Sequence, residues 1–261
     1  SAVLDDITEW EDKLQFPDVD AFDWEAEAAR ELAGVDREQL VVDFGSGNGV
    51  WERLLSLVGT EEAFLSMIVE QDAVNALFEK ITDYKIHIAE KVKQYYQADV
   101  FTNYDDIAAS ASLFFSPEIY RACIKPHHKR LNEAVRDLGM IPIYHCCGKP
   151  EVLIEDFIET GAAAWTSVQP NNDIEYLLKT YGDRIAFIGG YDNNGPCGMP
   201  DATEEMVRAE VRRCMSTYGK YDGYVLFGAR IVDSLDPAEI GAAYVPIIDE
   251  GLKCAGLPGI L

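Results

Sequence analysis

Positive charge is scarce in this chain. Its 261 residues carry 22 Lys and Arg against 46 Asp and Glu, a formal net charge of −24 at pH 7. A nucleic-acid surface needs clustered Lys and Arg, so this balance excludes a broad one. It also disfavours docking on anionic lipid. No apolar run approaches the roughly 20 residues that cross a bilayer, and the opening SAVLDDITEWEDKL lacks the pattern of a signal peptide. A secreted disulfide framework is missing as well. Cys123, Cys146, Cys147, Cys197, Cys214 and Cys254 are irregularly spaced in a long chain, and two are adjacent. The expectation is a cytoplasmic protein with reduced thiols. Linkers, low-complexity tracts and Pro/Gly-rich seams are absent too, so residues 1–261 are expected to form one domain, with 1–35 an acidic N-terminal segment.

What is present is a rhythm. A short helix is expected over 23–33, QLVVDFGSG reads as a strand ending in glycines, and residues 50 to about 97 have helical apolar spacing. ADVFTNYDD is a strand, and residues 116–139 are a helix with Ser116 as N-cap, Pro117 at its first position and Gly139 as its stop. MIPIYH, AAAWTSVQP, RIAFIGGYD and GYVLFGA follow as strands. KPEVLIEDFIETG, DIEYLLKTYGD, TEEMVRAEVRRCMSTYG and DPAEIGAAYVPIIDEGLK follow as helices. Strands alternating with helices give a parallel sheet with right-handed crossovers, in an open doubly wound fold or a TIM barrel. Six strands fall two short of a full barrel, so part of its N-terminal portion is expected to be missing or poorly patterned.

In both architectures ligands bind beyond the carboxyl ends of the strands. Asp105 and Asp106 follow one strand; His145, Cys146, Cys147 and Gly148 follow the next. Gln169 and Asn171 come after the third, Tyr191, Asp192 and Asn193 with Cys197 after the fourth, and Gly228, Ala229 and Arg230 after the last. Such a convergence favours a site over scattered loop polarity. His145-x-Cys147 offers an imidazole and a thiolate, apt donors for a zinc that keeps one position open. By spacing alone a buried histidine beside small apolar thiols accounts for it as well. His127 and His128, mid-helix beside Lys and Arg, are expected to be solvated, and Cys123, Cys214 and Cys254 to be packing residues.

VVDFGSGNG imitates the glycine-rich first turn of an S-adenosylmethionine-dependent methyltransferase, with an acidic residue following in MIVEQD. That motif requires a strand over 64–69. Phe64, Leu65, Ile68, Val69, Ala73 and Leu77 form a helical stripe instead, and a plain turn fits the glycines.

From about residue 50 to 250, four stretches resemble the uroporphyrinogen decarboxylase superfamily. They are YDDIAASASLFFSPEIYRACIKPHHKRL, YHCCGKPEVLIEDFIETGAAAWTSVQP, LLKTYGDRIAFIGGYD and the closing DPAEI. The resemblance implies a TIM (β/α)8-type barrel, and H-C-C-G is similar to the cobamide-dependent methyltransferase branch. It implies zinc on His145 and Cys147, activating a thiol that takes a methyl group from methyl-cobalamin, with the corrinoid carried by a partner protein. A methylated small molecule as donor is the related version. The resemblance further implies that Asp105, Asp106, Asp192 and Gln169 position substrate or orient His145, with Tyr191 and Asn193 lining the substrate site. The branch's third zinc cysteine falls on Ala229, leaving Cys197 as the substitute, with Cys146 and Asp192 behind it. A non-zinc or non-catalytic ligand-binding or corrinoid-binding member, or a decarboxylase, stays open beside it.

Overall fold

A computed structural model describes residues 3–257; the expectations for 1–35 and 1–261 therefore extend at the chain ends outside the described residues. Six strands run β1 (Asp43–Ser46), β2 (Val100–Tyr104), β3 (Ile141–His145), β4 (Ala164–Val168), β5 (Ala186–Gly190) and β6 (Tyr224–Phe227). Among the described residues they form one sheet in chain order, every neighbouring pair parallel. Helices precede and separate them: α1 (Trp10–Lys13), α2 (Trp24–Glu31), α3 (Val50–Val58), α4 (Thr60–Val69) and α5 (Gln71–Lys91) come first. Then follow α6 (Pro117–Ile119), α7 (Lys125–Asp137), α8 (Ile154–Glu159), α9 (Ile174–Tyr181), α10 (Glu204–Tyr218) and α11 (Pro237–Cys254). Sequential parallel strands with a crossover between each pair give a TIM-barrel-like α/β fold. No described helix is long and apolar enough to cross a membrane.

The local chemistry explains most boundaries. The Ser116 hydroxyl accepts from the Ile119 amide, and Pro117 opens α6. The helix expected over 116–139 is not uniform. A π turn at Tyr120–Ile124 joins α6 to α7, immediately before Pro126, which has no amide to donate into the ladder. Residues 64–69 are helical within α4, so the S-adenosylmethionine-type strand is absent there.

Each strand shows two unlike faces. Tyr144, Trp165 and Phe187 lie side by side in the register, at most 3% exposed, packed through Phe157 on the helix layer. The opposite face carries a smaller apolar cluster of Val100, Ile143 and Ala164, with Ala186 and Ile188 packed against it. Above that cluster, Tyr104 pairs with His145 in the register. The smaller face therefore ends in aromatic and imidazole side chains at the rim where β2 and β3 stop.

Candidate metal centre

Alternation along β3 decides which side chains meet. Cys146 turns into the helix side, fully buried, where its sulfur accepts from the Ile107 amide at 3.4 Å. His145 and Cys147 turn the other way, and Cys147 Sγ lies 3.5 Å from His145 Nε2. Asp106, just past β2, joins them: its Oδ1 accepts from the Cys147 amide at 2.7 Å. One donor atom from each of Asp106, His145 and Cys147 lies within 4.8 Å of the other two, and all three residues are half-buried. Among the described residues this is the group of His, Cys, Asp and Glu side chains that converges closely enough to hold an ion.

Several contacts fix the triad. The Tyr104 ring stacks on the His145 ring at 4.2 Å between centroids. The Asp105 amide donates to the His145 carbonyl, and Ser167 Oγ stands 3.9 Å from Cys147 Sγ. Gly148 brings the two loops together. It has φ of +86°, and a Cβ there would stand 2.5 Å from the Ala109 carbonyl oxygen. The Lys149 amide donates to that same oxygen, so the β2 and β3 loops are laced backbone to backbone.

Without an ion the site favours the neutral imidazole and the neutral thiol. Burial pulls the His145 imidazole below its ordinary range, against the attraction of Asp106. Burial pushes the Cys147 thiol up, and the Asp106 charge pushes it further. A bound divalent cation reverses that balance and favours the thiolate. The geometry fits zinc: bonds of about 2.3 Å to sulfur and about 2.0 Å to nitrogen at a tetrahedral angle separate the two donors by about 3.5 Å. One imidazole and two anions also balance a dipositive ion, with a fourth position left for substrate.

The other residues singled out in the sequence lie elsewhere. Asp105 is fully buried on the helix side, accepting from the Trp51 and Glu52 amides at the start of α3 and paired with His128 Nε2 at 2.9 Å. Gly49 permits that approach, since a Cβ there would stand 2.1 Å from Asp105 Cγ. His128 is thus buried and paired, where its basic neighbours suggested a solvated side chain; its ring also meets Tyr120 and Tyr144. His127 is half-buried against Phe78. Cys197 is outside the triad, its thiol donating to the Asp192 carbonyl at 3.2 Å; the side chain that the structure brings beside His145 and Cys147 is Asp106. Tyr191 donates to the Cys197 carbonyl, and Asn193 Oδ1 accepts from the Ala229 amide at 2.8 Å. Gln169 Oε1 accepts from the Gly148 amide at 2.8 Å, steadying the β3 loop. Cys123 and Cys214 are buried as expected, while Cys254 is exposed. Glu52 carries no sequence signal beyond its charge. Its Oε2 is buried without a hydrogen-bond partner, and burial, then the Asp105 and Asp106 charges, push its carboxyl up.

Comparison with known proteins follows the same lines. Residues 3–244 match the family model described as uroporphyrinogen decarboxylase (URO-D). No curated protein gives a significant match. Among solved structures, a methyltransferase from Methanosarcina mazei superposes with a TM-score of 0.64 at 17% identity, over 86% of this chain. The chain spans 61% of the length of that structure. With nearly its whole described length matched to one family model, this chain belongs to the uroporphyrinogen decarboxylase family.

Proposed function

We propose that the chain acts as one α/β-barrel domain catalysing zinc-dependent methyl transfer. The exchange runs between a methyl-corrinoid, carried by a partner protein, and a thiol or another small methyl acceptor or donor. The observation that carries this reading is the meeting of Asp106, His145 and Cys147 at the rim, with soft and hard donors spaced for one ion. The methyltransferase of similar fold supports it at the level of architecture. The thiol and imidazole 3.5 Å apart are donors for an ion, which favours metal-assisted methyl transfer over a metal-free decarboxylation within the family.

Zinc, when bound, supplies Lewis acidity that lowers the pKa of an acceptor thiol. The chain's own residues do the rest. Cys147 and His145 hold the ion from one strand end, two residues apart. Asp106 completes the set from the neighbouring strand while its hydrogen bond to the Cys147 amide fixes the spacing. Tyr104 keeps the His145 ring in plane and shields it from water. Gln169 fixes the loop behind Cys147, and Tyr191, Asp192 and Asn193 shape the far side of the rim, where substrate and corrinoid partner would enter. The test is anaerobic turnover of methyl-cobalamin with a small thiol, followed by the absorbance of cob(I)alamin. The expected result is turnover that needs zinc and is abolished in Cys147→Ala. Zinc-loaded protein that demethylates methyl-cobalamin with none of a panel of thiols would sink the thiol-acceptor reading.

A further inference from the structure

A cavity of about 230 Å³ lies on the helix side of β1 and β2, away from the candidate metal centre. The Leu14–Pro17 stretch, the Ser46–Asn48 turn, α3 and α5 enclose it. Its walls are largely aliphatic and aromatic, among them Phe16, Leu57, Ile81 and Tyr84, but two cations, Lys85 and Arg53, also line it. Lys85 is 5% exposed, and its Nζ donates to the Ser46 carbonyl and hydroxyl, the Gly47 carbonyl and Asn103 Oδ1 at 3.0–3.2 Å. Every one of these acceptors is neutral.

That is unusual in this molecule. Carboxylates outnumber cations about two to one, and most Lys and Arg sit in ion pairs. Among the described residues neither Lys85 nor Arg53 has a carboxylate within ion-pair distance. A buried ammonium without a counter-charge is costly. Burial accordingly pulls Lys85 down to about 8, and the Arg53 charge contributes to the fall against the attraction of Asp105. The turn that feeds Lys85 two carbonyls is itself held in an uncommon backbone, with Asn48 at φ +52°. The glycine-rich stretch that the sequence offered as a cofactor turn thus builds the polar end of a pocket of different chemistry.

We infer that this cavity binds a small organic monocarboxylate, its carboxylate displacing a neutral acceptor from the three N–H groups of Lys85 and reaching Arg53, its apolar body against Phe16, Leu57 and Ile81. The volume is just below the roughly 300–1,000 Å³ of pockets for drug-sized ligands, so the ligand is smaller than those. Asn103 and Tyr104 are successive residues of β2 on opposite faces, so this pocket and the metal centre stand back to back and are separate sites.

The experiment is calorimetric titration of the whole chain with benzoate and hexanoate, beside their neutral amides and inorganic phosphate. Benzoate or hexanoate is expected to bind at concentrations up to about 20 mM, with the amides weaker by about tenfold or more. Lys85→Met is expected to weaken carboxylate binding by at least about tenfold, and Arg53→Gln by about threefold. Leu57→Trp fills the cavity without touching a charge and should abolish binding, so the inference stays testable if Lys85→Met fails to fold. Cys147→Ala should leave benzoate binding unchanged, which separates this pocket from the metal centre. The inference is overturned if no carboxylate binds, if the amides bind equally, or if phosphate binds as tightly with the same dependence on Lys85. Binding lost in Cys147→Ala but kept in Lys85→Met and Leu57→Trp would overturn it too, by placing the carboxylate on the metal.

Discussion

The loops after β2 and β3 and the loops after β5 and β6 occupy the same rim and carry similar residue types, yet their side chains are engaged differently. After β5 and β6, Tyr191, Asn193 and Cys197 bond to backbone groups of these two loops: Cys197 to Asp192 and Tyr191 to Cys197 within the β5 loop, and Asn193 across to Ala229 in the β6 loop. These donors are saturated locally and hold loops in place. After β2 and β3 the backbone is laced by Gly148 and Lys149, so Asp106, His145 and Cys147 are left to face one another. On this rim, the donors that a backbone-to-backbone tie leaves facing one another form the candidate site, Asp106 keeping one oxygen on the Cys147 amide, while those of the other two loops are spent on holding the loops.

Breaking the comparison gives the largest expected effect. Cys147→Ala or His145→Ala should lose zinc and methyl-transfer activity altogether, while Cys197→Ser should keep the parent's metal content, as read by elemental mass spectrometry. Next comes Asp106→Asn. The amide oxygen preserves the hydrogen bond from Cys147 but offers no anionic ligand, so zinc affinity should fall by about 10–100-fold with little change in melting temperature. An unchanged affinity in competition with a chelator would remove Asp106 from the ligand set.

The lacing itself can be tested through Gly148→Ala. Positive φ and the 2.5 Å approach to the Ala109 carbonyl should cost about 3 kcal/mol of stability in denaturant unfolding, and should loosen the metal site with it. A variant as stable as the parent would mean the loops do not depend on that contact.

Acid separates metal release from unfolding. In zinc-free protein, burial holds the His127 imidazole down to about 4 from an ordinary 6.5. The unfolded chain takes up a proton there first, so stability is fully present above pH 6.5 and is lost as pH falls towards 4. Allowing for its partial exposure, the loss is at most about 2 kcal/mol. His127→Phe should flatten that part of the pH profile, and an unchanged slope would assign acid sensitivity elsewhere. The smallest effect is expected on the other side of the rim. Asn193→Ala removes the tie to the Ala229 amide and should cost about 1 kcal/mol, with zinc content untouched.

The alternation of strands and helices was readable because both periods are strong and the punctuation is regular, with Ser116 and Pro117 at a helix start and Gly161 after a helix end. His145 and Cys147 were readable as a pair because residues two apart on a strand share a face. Asp106 as their partner was not. Its place depends on the register that sets Tyr104 beside His145 and on the close approach at Gly148, neither of which local pattern reveals. His128 misled for the same reason. Flanking Lys and Arg suggest solvent, but Asp105, 23 residues earlier, draws the ring inside. Cys197 drew attention as a soft donor in a loop, whereas a local carbonyl already accepts its thiol. Of the interrupted helix, Pro126 was the available signal, since a proline that far past the start must disturb the hydrogen-bond ladder.

The most direct test of the Asp106–His145–Cys147 centre is zinc stoichiometry on anaerobically purified protein, measured together for the parent, Asp106→Asn, His145→Ala, Cys147→Ala and Cys197→Ser. About one zinc per chain in the parent and in Cys197→Ser, with loss in His145→Ala and Cys147→Ala and a lowered content in Asp106→Asn, is the predicted result. A parent that takes up no zinc after reconstitution, or one whose zinc survives in His145→Ala and Cys147→Ala, would contradict it.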